Sequence, residues 1–463
     1  MMTLQQASTW VSACQLVGDG LVEIKRIHTD TRSLQAGDMF VALKGDNFDA
    51  HDFLAQAKAL GAVAAIAQHG LMQSDLPGLL VSDSKIALGQ LAASWRSQFD
   101  LPLIAVAGSN GKTTVTQMIA SILRASHQTH AFATQGNLNN DIGVPLTLLR
   151  LTADHKIGVV ELGMNHAGEI AYLAHIAKPS VALVNNAQRE HLEFMSTVEA
   201  VAHENGAVID ALGPRGVAVF PADDDYTSVW RKKAGTRSIL TFAISGDADV
   251  TADARWTDKG WQVAAKTPQG ALSFSLNIAG SHNVKNALAA VACALAAGIP
   301  LESISSGLSG FEAVKGRSRA IQLHIEGRHC ILIDDSYNAN PDSMRAAIDV
   351  LAALPGPRLL VMGDMGEVGL QGPYFHEEAG RWARTQGIEH LFTLGEQSRL
   401  ASGSFDHIGG EGRHFTDINA LNAAVFALLP SAGSVLVKGS RFMKMERVVM
   451  SIQEQKKEAQ HAD

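Results

Sequence analysis

The chain has 463 residues, 46% hydrophobic and 18% charged, a composition that excludes an extended disordered chain and fills roughly three domain cores. Its net charge of −8 gives no overall basic field for nucleic acid or an anionic membrane surface, so any anionic ligand must be held locally. The three cysteines, Cys14, Cys293 and Cys330, lack paired spacing, and with no basic-then-apolar leader at the start the chain is expected to be a cytoplasmic enzyme.

Residues 1–100 carry strand and helix signals of their own, including Asp38–Leu43 and a helical stretch from His51 to Leu60. A small α/β unit is expected, closed by Phe99-Asp100-Leu101-Pro102 because the residue before a proline is pushed away from helix. From 101 to 318 short apolar runs alternate with helical patterns: Leu103–Ala107, Ile157–Leu162, Val181–Asn185 and Val217–Phe220. That alternation implies βαβ units and a mostly parallel sheet. Between Ala248 and Ala279 the period becomes two, with turns at Asp258-Lys259-Gly260 and Pro268-Gln269-Gly270, which predicts an antiparallel ribbon. Helix returns at His282–Ala297; its apolar part, Ala287–Ile299, is well short of the ~20 residues that span a bilayer. Ser305–Arg319, rich in Gly and Ser, reads as a connection. A third α/β unit, 319–463, has runs at Cys330–Ile333, Leu359–Met362, Leu391–Leu394 and Val435–Val437 separated by helical segments, a doubly wound pattern; the polar tail from Gln453 to Asp463 is expected to fray.

Chemistry concentrates at strand ends. After Leu103–Ala107 comes Gly108-Ser109-Asn110-Gly111-Lys112-Thr113-Thr114, then Val115, Met118, Ile119, Ile122 and Leu123 at helical spacing. This is a phosphate cradle: glycines let backbone N–H groups converge on phosphate oxygens, the helix N-terminus adds positive charge, Lys112 meets the β/γ end and the Thr113 hydroxyl suits Mg²⁺. Position 106 is Val where the common pattern has Gly, so the loop is the shorter G-x-x-G-K-T form. Glu161 ends the run at 157–160, where a carboxylate either caps a neighbouring helix or pairs with a Lys, or, beside a phosphate loop, suits a nucleotide-bound Mg²⁺. His191, flanked by Glu190 and Glu193, follows the next strand and reads either as a structural histidine or as a metal ligand or proton acceptor. Asp334-Asp335-Ser336-Tyr337-Asn338-Ala339-Asn340-Pro341 leads into a helix, either as turn chemistry or as a ribose or phosphate contact. Lys438-Gly439-Ser440-Arg441 ends the last strand and reads either as a solvated face or as cations aimed at a ligand. Because Glu161 and His191 lie in the middle unit and Asp335 and Lys438 in the third, a productive site requires the two units to approach, and an open form is expected without ligands.

These segments together resemble the Mur ligase family over nearly the whole chain. The resemblance rests on Thr29-Asp30-Thr31-Arg32, Phe40–Gly45, Gly108–Thr114, Thr134–Thr147 with its doubled Asn139-Asn140, Glu161–Asn165, His282–Leu288, Gly316-Arg317, Asp334–Met344, Gly363–Glu367 and Val437–Arg441. Within the family the chain looks like the MurF type. The resemblance implies a three-domain ATP-dependent ligase that joins D-alanyl-D-alanine to UDP-N-acetylmuramoyl-tripeptide through an acyl phosphate, with Mg²⁺. Residues 1–100 would bind the UDP-sugar peptide, 101–318 would be the central ATP-binding P-loop domain, and 319–463 would close over ATP and bind the dipeptide. It implies catalytic roles for Lys112, Glu161, His191 and Arg317, and nucleotide contacts from residues 108–114, Asn283, Asn286, Arg317 and Asp335. Metal ligation falls to Thr113, Glu161 and His191, and substrate contacts to Thr29, Asp30, Thr31, Arg32, Lys44, Asn139, Asn140 and Lys438. A monomer is expected, with no nucleic-acid partner and no stable membrane insertion.

One segment departs from the family pattern. Fourteen residues beyond the histidine the family has Ala-Lys-x-Lys-Gly, whose second lysine can be carbamylated to hold a second Mg²⁺; here Ala202-His203-Glu204-Asn205-Gly206 stands. Asn205 cannot carry that group, so compensation is expected from water or a nearby glutamate, and activity is expected to ignore bicarbonate. Rival readings are a sibling ligase acting on a folate or an earlier cell-wall precursor, and a P-loop switch that uses ATP only to change conformation.

Overall fold

The computed structural model describes residues 1–257, 260–325 and 327–461. Three open sheets succeed one another. In the first, the order is Gln15–Val17, Gly78–Leu80, Ala64–Ala67, Asp38–Val41, Arg26–His28, parallel except for the antiparallel edge pair at 15–17 and 78–80. The helix Ser84–Arg96 leaves this sheet and carries Leu88 and Leu91 into a core shared with Leu173 and Ile176 of the middle unit. Arg96 ties the junction by donating to the carbonyls of Ala177 and Leu101 at 2.9 and 3.2 Å.

The middle sheet runs Ala131–Ala133, Ile157–Glu161, Leu103–Ala107, Val181–Val184, Val217–Pro221, Ser238–Phe242, all parallel. Residues 103–107, 157–161 and 181–184 are buried throughout, which explains why they read as unbroken apolar runs: helices cover both faces. The chain winds one way from 103–107 to the 131–133 edge and then crosses to 181–184, so a topological switch lies beside the strand that feeds the phosphate loop. The ribbon Thr251–Thr257, Gly260–Thr267, Gly270–Leu276 is antiparallel, as its period of two requires. Asp258 and Lys259, placed in its first turn, lie outside the described residues.

The stretch 305–319 is not simply a connection. Leu301–Ser309 is a helix that buries Ile304 and Leu308, and Gly307 sits against the phosphate-loop helix Lys112–His127 so closely that a Cβ would lie 2.4 Å from the Ile122 Cα. The glycine that looked like punctuation is a helix–helix contact.

In the third sheet the order is Arg319–Ile325, Arg328–Asp335, Ser434–Lys438, Arg358–Gly363, His390–Leu394, Glu411–Phe415, parallel except for the first pair. Separate apolar clusters cover its two faces, the doubly wound arrangement. Both edge strands, 319–325 and 411–415, escaped the sequence pattern because their exposed faces are polar. The last helix, Glu446–His461, is anchored by buried Val448, Val449 and Ile452, all before the tail at 453–463, of which Ala462 and Asp463 lie outside the described residues. Among the described residues no helix is long and apolar enough to cross a membrane.

Candidate active site

A cleft of about 740 Å³ opens where the middle and third sheets present the C-terminal ends of their strands. Its floor is the phosphate loop. Gly108 and Gly111 take φ of 134° and 81°, and a side chain at Gly111 would meet the Asn286 and Asn185 amides at 2.6 and 2.8 Å, so glycine is needed for both conformation and space. The loop is clamped from the neighbouring strand end: Asn186 Oδ1 accepts the Asn110 N–H at 2.8 Å, and Asn185 Nδ2 donates to the Asn110 carbonyl at 2.8 Å and to Asn286 Oδ1 at 3.0 Å. Asn286 in turn donates to Asn283 Oδ1 at 2.9 Å. These buried amides line the cleft and hold the loop at once.

Lys112 spends its three donors inside the protein, on the carbonyls of Gly108 and Ser109 at 2.6 and 3.0 Å and on Glu190 Oε1 at 2.9 Å. Beside it the Thr113 hydroxyl meets Glu161 Oε1 at 3.2 Å, and Asn139 Nδ2 donates to the same oxygen at 2.7 Å. Arg317, stacked over the Tyr337 ring at 4.1 Å, reaches Thr113 Oγ1 at 3.1 Å.

His191 and Glu367 both hold left-handed backbone, φ 50° and 59°, conformations that non-glycine residues adopt at a cost and that cluster at functional sites. The imidazole lies between two carboxylates: Nδ1 is 2.6 Å from Glu367 Oε2 and Nε2 is 3.5 Å from Glu190 Oε1. Burial alone would lower its pKa, but Glu190 and Glu367 outweigh burial and hold it up at about 9. In this arrangement the ring is protonated at neutral pH, which removes the proton-acceptor option until the carboxylates are otherwise engaged.

The third unit supplies the other wall. Asp335 Oδ2 accepts from Lys438 Nζ at 2.6 Å and its Oδ1 accepts the Ser318 N–H at 2.9 Å, while Asp334 Oδ2 accepts the Gly316 N–H at 3.0 Å. The two aspartates therefore fasten the linker that carries Arg317. Lys438 is only 3% exposed, which overturns the solvated-face reading. Asn340 caps the helix Pro341–Ala352 and donates across the cleft to Asn110 Oδ1 at 2.9 Å. Arg189, which no sequence signal marked, bonds Asp342 at 2.6 Å and Glu378 at 2.8 Å.

In this conformation the two units are in contact across the cleft. Arg189 pairs with Asp342, His191 with Glu367 and Asn110 with Asn340, so complementary charge and amide contacts join the middle and third units. The structure collects Lys112, Thr113, Glu161, His191, Asn139, Asn140, Asn283, Asn286, Arg317, Asp335 and Lys438 along one cleft. It leaves Thr29, Asp30, Thr31, Arg32 and Lys44 outside that lining, on the first unit, where Arg32 pairs with Asp30 at 2.7 Å. Asp224, whose carboxyl pKa is pushed up by burial, joins the cleft unannounced by any motif.

Asn205, at the family's lysine position, is 1% exposed and its Oδ1 accepts the Gly108 N–H at 3.1 Å. Its oxygen is therefore committed to the loop. Glu204 faces away, accepting the Gly168 and Ile170 N–H groups at 2.9 and 2.8 Å, and Glu193 is exposed.

Family models match in the same order as the sheets: the Mur ligase family catalytic domain over residues 23–96, the Mur ligase middle domain over 106–294 and the Mur ligase glutamate ligase domain over 316–441. An Escherichia coli protein named UDP-N-acetylmuramoyl-tripeptide–D-alanyl-D-alanine ligase is 42% identical over 94% of both chains. The crystal structure of MurF from Acinetobacter baumannii superposes with a TM-score of 0.89 at 37% identity over 98% of both chains. MurF from Thermotoga maritima, solved in complex with ADP, gives a TM-score of 0.80 at 26% identity, covering 96% of this chain and 100% of its own. With the cradle, the strand-end carboxylate and the facing third sheet already in place, these matches show that the chain belongs to the Mur ligase family, in its MurF branch.

Proposed function

We propose that the chain joins D-alanyl-D-alanine to UDP-N-acetylmuramoyl-tripeptide using ATP, yielding UDP-N-acetylmuramoyl-pentapeptide, ADP and phosphate in peptidoglycan precursor synthesis. The observation that carries the reading is the convergence of Lys112, Thr113, Glu161, His191 and Arg317 on one cleft in a chain similar, end to end, to ligases of that name. The terminal carboxylate of the tripeptide attacks the γ-phosphorus, the bond to the β,γ-bridging oxygen breaks and ADP leaves. The dipeptide amine then attacks the acyl carbon and loses a proton, and phosphate departs with the electrons of the acyl–oxygen bond.

Such chemistry asks the protein for position and charge more than for covalent help. The N–H groups of residues 108–114 and Lys112 hold the β and γ phosphates, and Arg317, braced by Tyr337, lies against the γ end. Asn283 and Asn286 read the adenine, Asp335 contacts the nucleotide from the third unit, and Asn139, Asn140 and Lys438 meet the sugar peptide. The donor set fits Mg²⁺, since the Thr113 hydroxyl and the Glu161 carboxylate are hard oxygen donors 3.2 Å apart beside the phosphate cradle. Bound there, the ion supplies positive charge that offsets the charge spread over the transferring phosphate; His191 belongs to a second such position.

In this reading residues 1–100 take the UDP end through Thr29, Asp30, Thr31, Arg32 and Lys44, residues 101–318 take ATP, and residues 319–463 close the site and receive the dipeptide. The enzyme works as a cytoplasmic monomer with no nucleic-acid partner. Mass spectrometry of products from ATP, UDP-N-acetylmuramoyl-tripeptide and D-alanyl-D-alanine tests it: pentapeptide with stoichiometric ADP is expected. Product with free glutamate in place of the dipeptide, or ATP hydrolysis indifferent to both substrates, overturns it.

A further inference from the structure

Among the described residues at the phosphate cradle, Glu190 stands out as an acid with a buried, unpartnered oxygen. The residue is 8% exposed and lines the cleft. Its Oε1 accepts from Lys112, but its Oε2 is buried with no hydrogen-bond partner, an expensive state for a carboxylate oxygen unless a cation or donor arrives. The pairing with Lys112 is itself provisional, because phosphates in the cradle compete for the same ammonium group. Once Lys112 turns to them, a buried carboxylate is left beside a polyanion, and like charges at that range repel strongly.

The neighbouring imidazole is set up to share a metal. Glu367 Oε2 lies 2.6 Å from Nδ1 of His191 as an ion pair outside hydrogen-bond geometry, which leaves Nε2 on the Glu190 side, 3.5 Å from Oε1. A carboxylate on the far nitrogen is the usual way a ligating histidine is oriented. The Nε2–Oε1 spacing is close to the roughly 3 Å between neighbouring corners of an octahedral Mg²⁺ shell. Among the described residues the other candidates are committed elsewhere: the Asn205 oxygen is held by the Gly108 N–H, Glu204 by Gly168 and Ile170, and Glu193 is exposed. The remote trio Asp49, His51 and His69 is a poorer match, since Gln68 N–H occupies His51 Nε2 and Asp49 occupies Nδ1.

We propose that Glu190 and His191 together hold a second divalent cation at the phosphate cradle, Glu190 supplying the negative charge that Asn205 cannot. The inference rests on the ligase reading above. Two protein ligands suffice, because Mg²⁺ completes its shell with water and substrate oxygens.

Electron paramagnetic resonance of free Mn²⁺, titrated into the full chain with a non-hydrolysable ATP analogue and UDP-N-acetylmuramoyl-tripeptide, counts bound ions without turnover. Wild type is expected to bind two Mn²⁺ and Glu190→Gln one, the second affinity falling at least ~10-fold; Glu190→Asp, which keeps the charge, should retain two with the second weakened. Thermal melting confirms that each variant is folded. Two Mn²⁺ of unchanged affinity in a folded Glu190→Gln protein overturns the proposal and reduces Glu190 to a counter-ion for Lys112, and a single ion in wild type overturns it equally. Pentapeptide formation by wild type is scored separately, so failure of the ligase reading is seen in the products and failure of the metal assignment in the ion count.

Discussion

Lys112 and Glu190 form a pair whose two members fail differently. Lys112→Ala removes the side-chain cation of the cradle, and losing such a contact in a water-poor site should lower turnover on the order of 10²-fold or more. It also strands Glu190, whose side chain is only 10% exposed beside a Lys112 at 12%, so stability should drop by about 3–5 kcal/mol. The double variant Lys112→Ala, Glu190→Gln is expected to regain most of the melting temperature and none of the turnover. A single variant as stable as wild type would show that the pair carries no structural weight. Asn205→Ala should not be silent either, since it leaves the buried Gly108 N–H without its acceptor, a loss of about 1–2 kcal/mol. Loosening the first turn of the loop should raise the KM for ATP several-fold. Wild-type activity should be unchanged by adding or stripping bicarbonate; stimulation by bicarbonate would require a carbamylated lysine elsewhere in the site.

At the scale of elements, two helical glycines make opposite demands. Gly307 abuts the backbone of Ser121 and Ile122, so Gly307→Ala forces the helices Leu301–Ser309 and Lys112–His127 apart and should cost about 1–3 kcal/mol. The displacement falls on the helix whose N-terminus holds the phosphates, and the KM for ATP should rise with it. Gly403, in Ser398–His407, has open space around it, and a methyl group added there would meet nothing within 4 Å. Gly403→Ala should therefore stabilise by about 0.5–1 kcal/mol through helix propensity and a less flexible unfolded chain. Urea titration of the two variants checks both signs, and equal shifts in one direction would contradict the packing argument.

Across the whole molecule the cleft is closed by charge. Arg189 spans from the middle sheet to Asp342 and Glu378, with its guanidinium 5.2 Å from the centroid of the Phe375 ring, and His191 meets Glu367 nearby. Arg189→Ala should open the ligand-free protein, seen as a larger radius of gyration in small-angle scattering, and should lower turnover while leaving each unit folded. Because these pairs are partly solvated, raising the ionic strength toward about 1 M should open wild type in the same direction. Scattering that is identical for variant and wild type at both salt concentrations would argue that apolar packing, not the clasp, sets the approach of the units.

What the chain's order alone determined was whatever depends on neighbours in sequence. The cradle at 108–114 and the strand ends at 161 and 335 were legible because an apolar run, a glycine turn and a helical period follow one another within one βα unit. The buried strands of the parallel sheets were legible because burial on both faces leaves an uninterrupted apolar run, whereas the polar edge strands 319–325 and 411–415 were not. Tertiary structure alone decided which of those strand ends meet. Arg189 and Asp224 carry no local motif, and Glu190 and Glu367 were marked only as neighbours in a motif; their meaning comes from partners far along the chain, such as Lys112 for Glu190, 78 residues away, and Asp342 for Arg189, 153 residues away. The same holds for Gly307, read from sequence as a loop residue, for Lys438, read either as a solvated cation or as one aimed at a ligand, and for Asn205, read as a missing ligand. Side chains that bridge sheets are chosen by through-space charge and close packing, and neither leaves a period in the sequence.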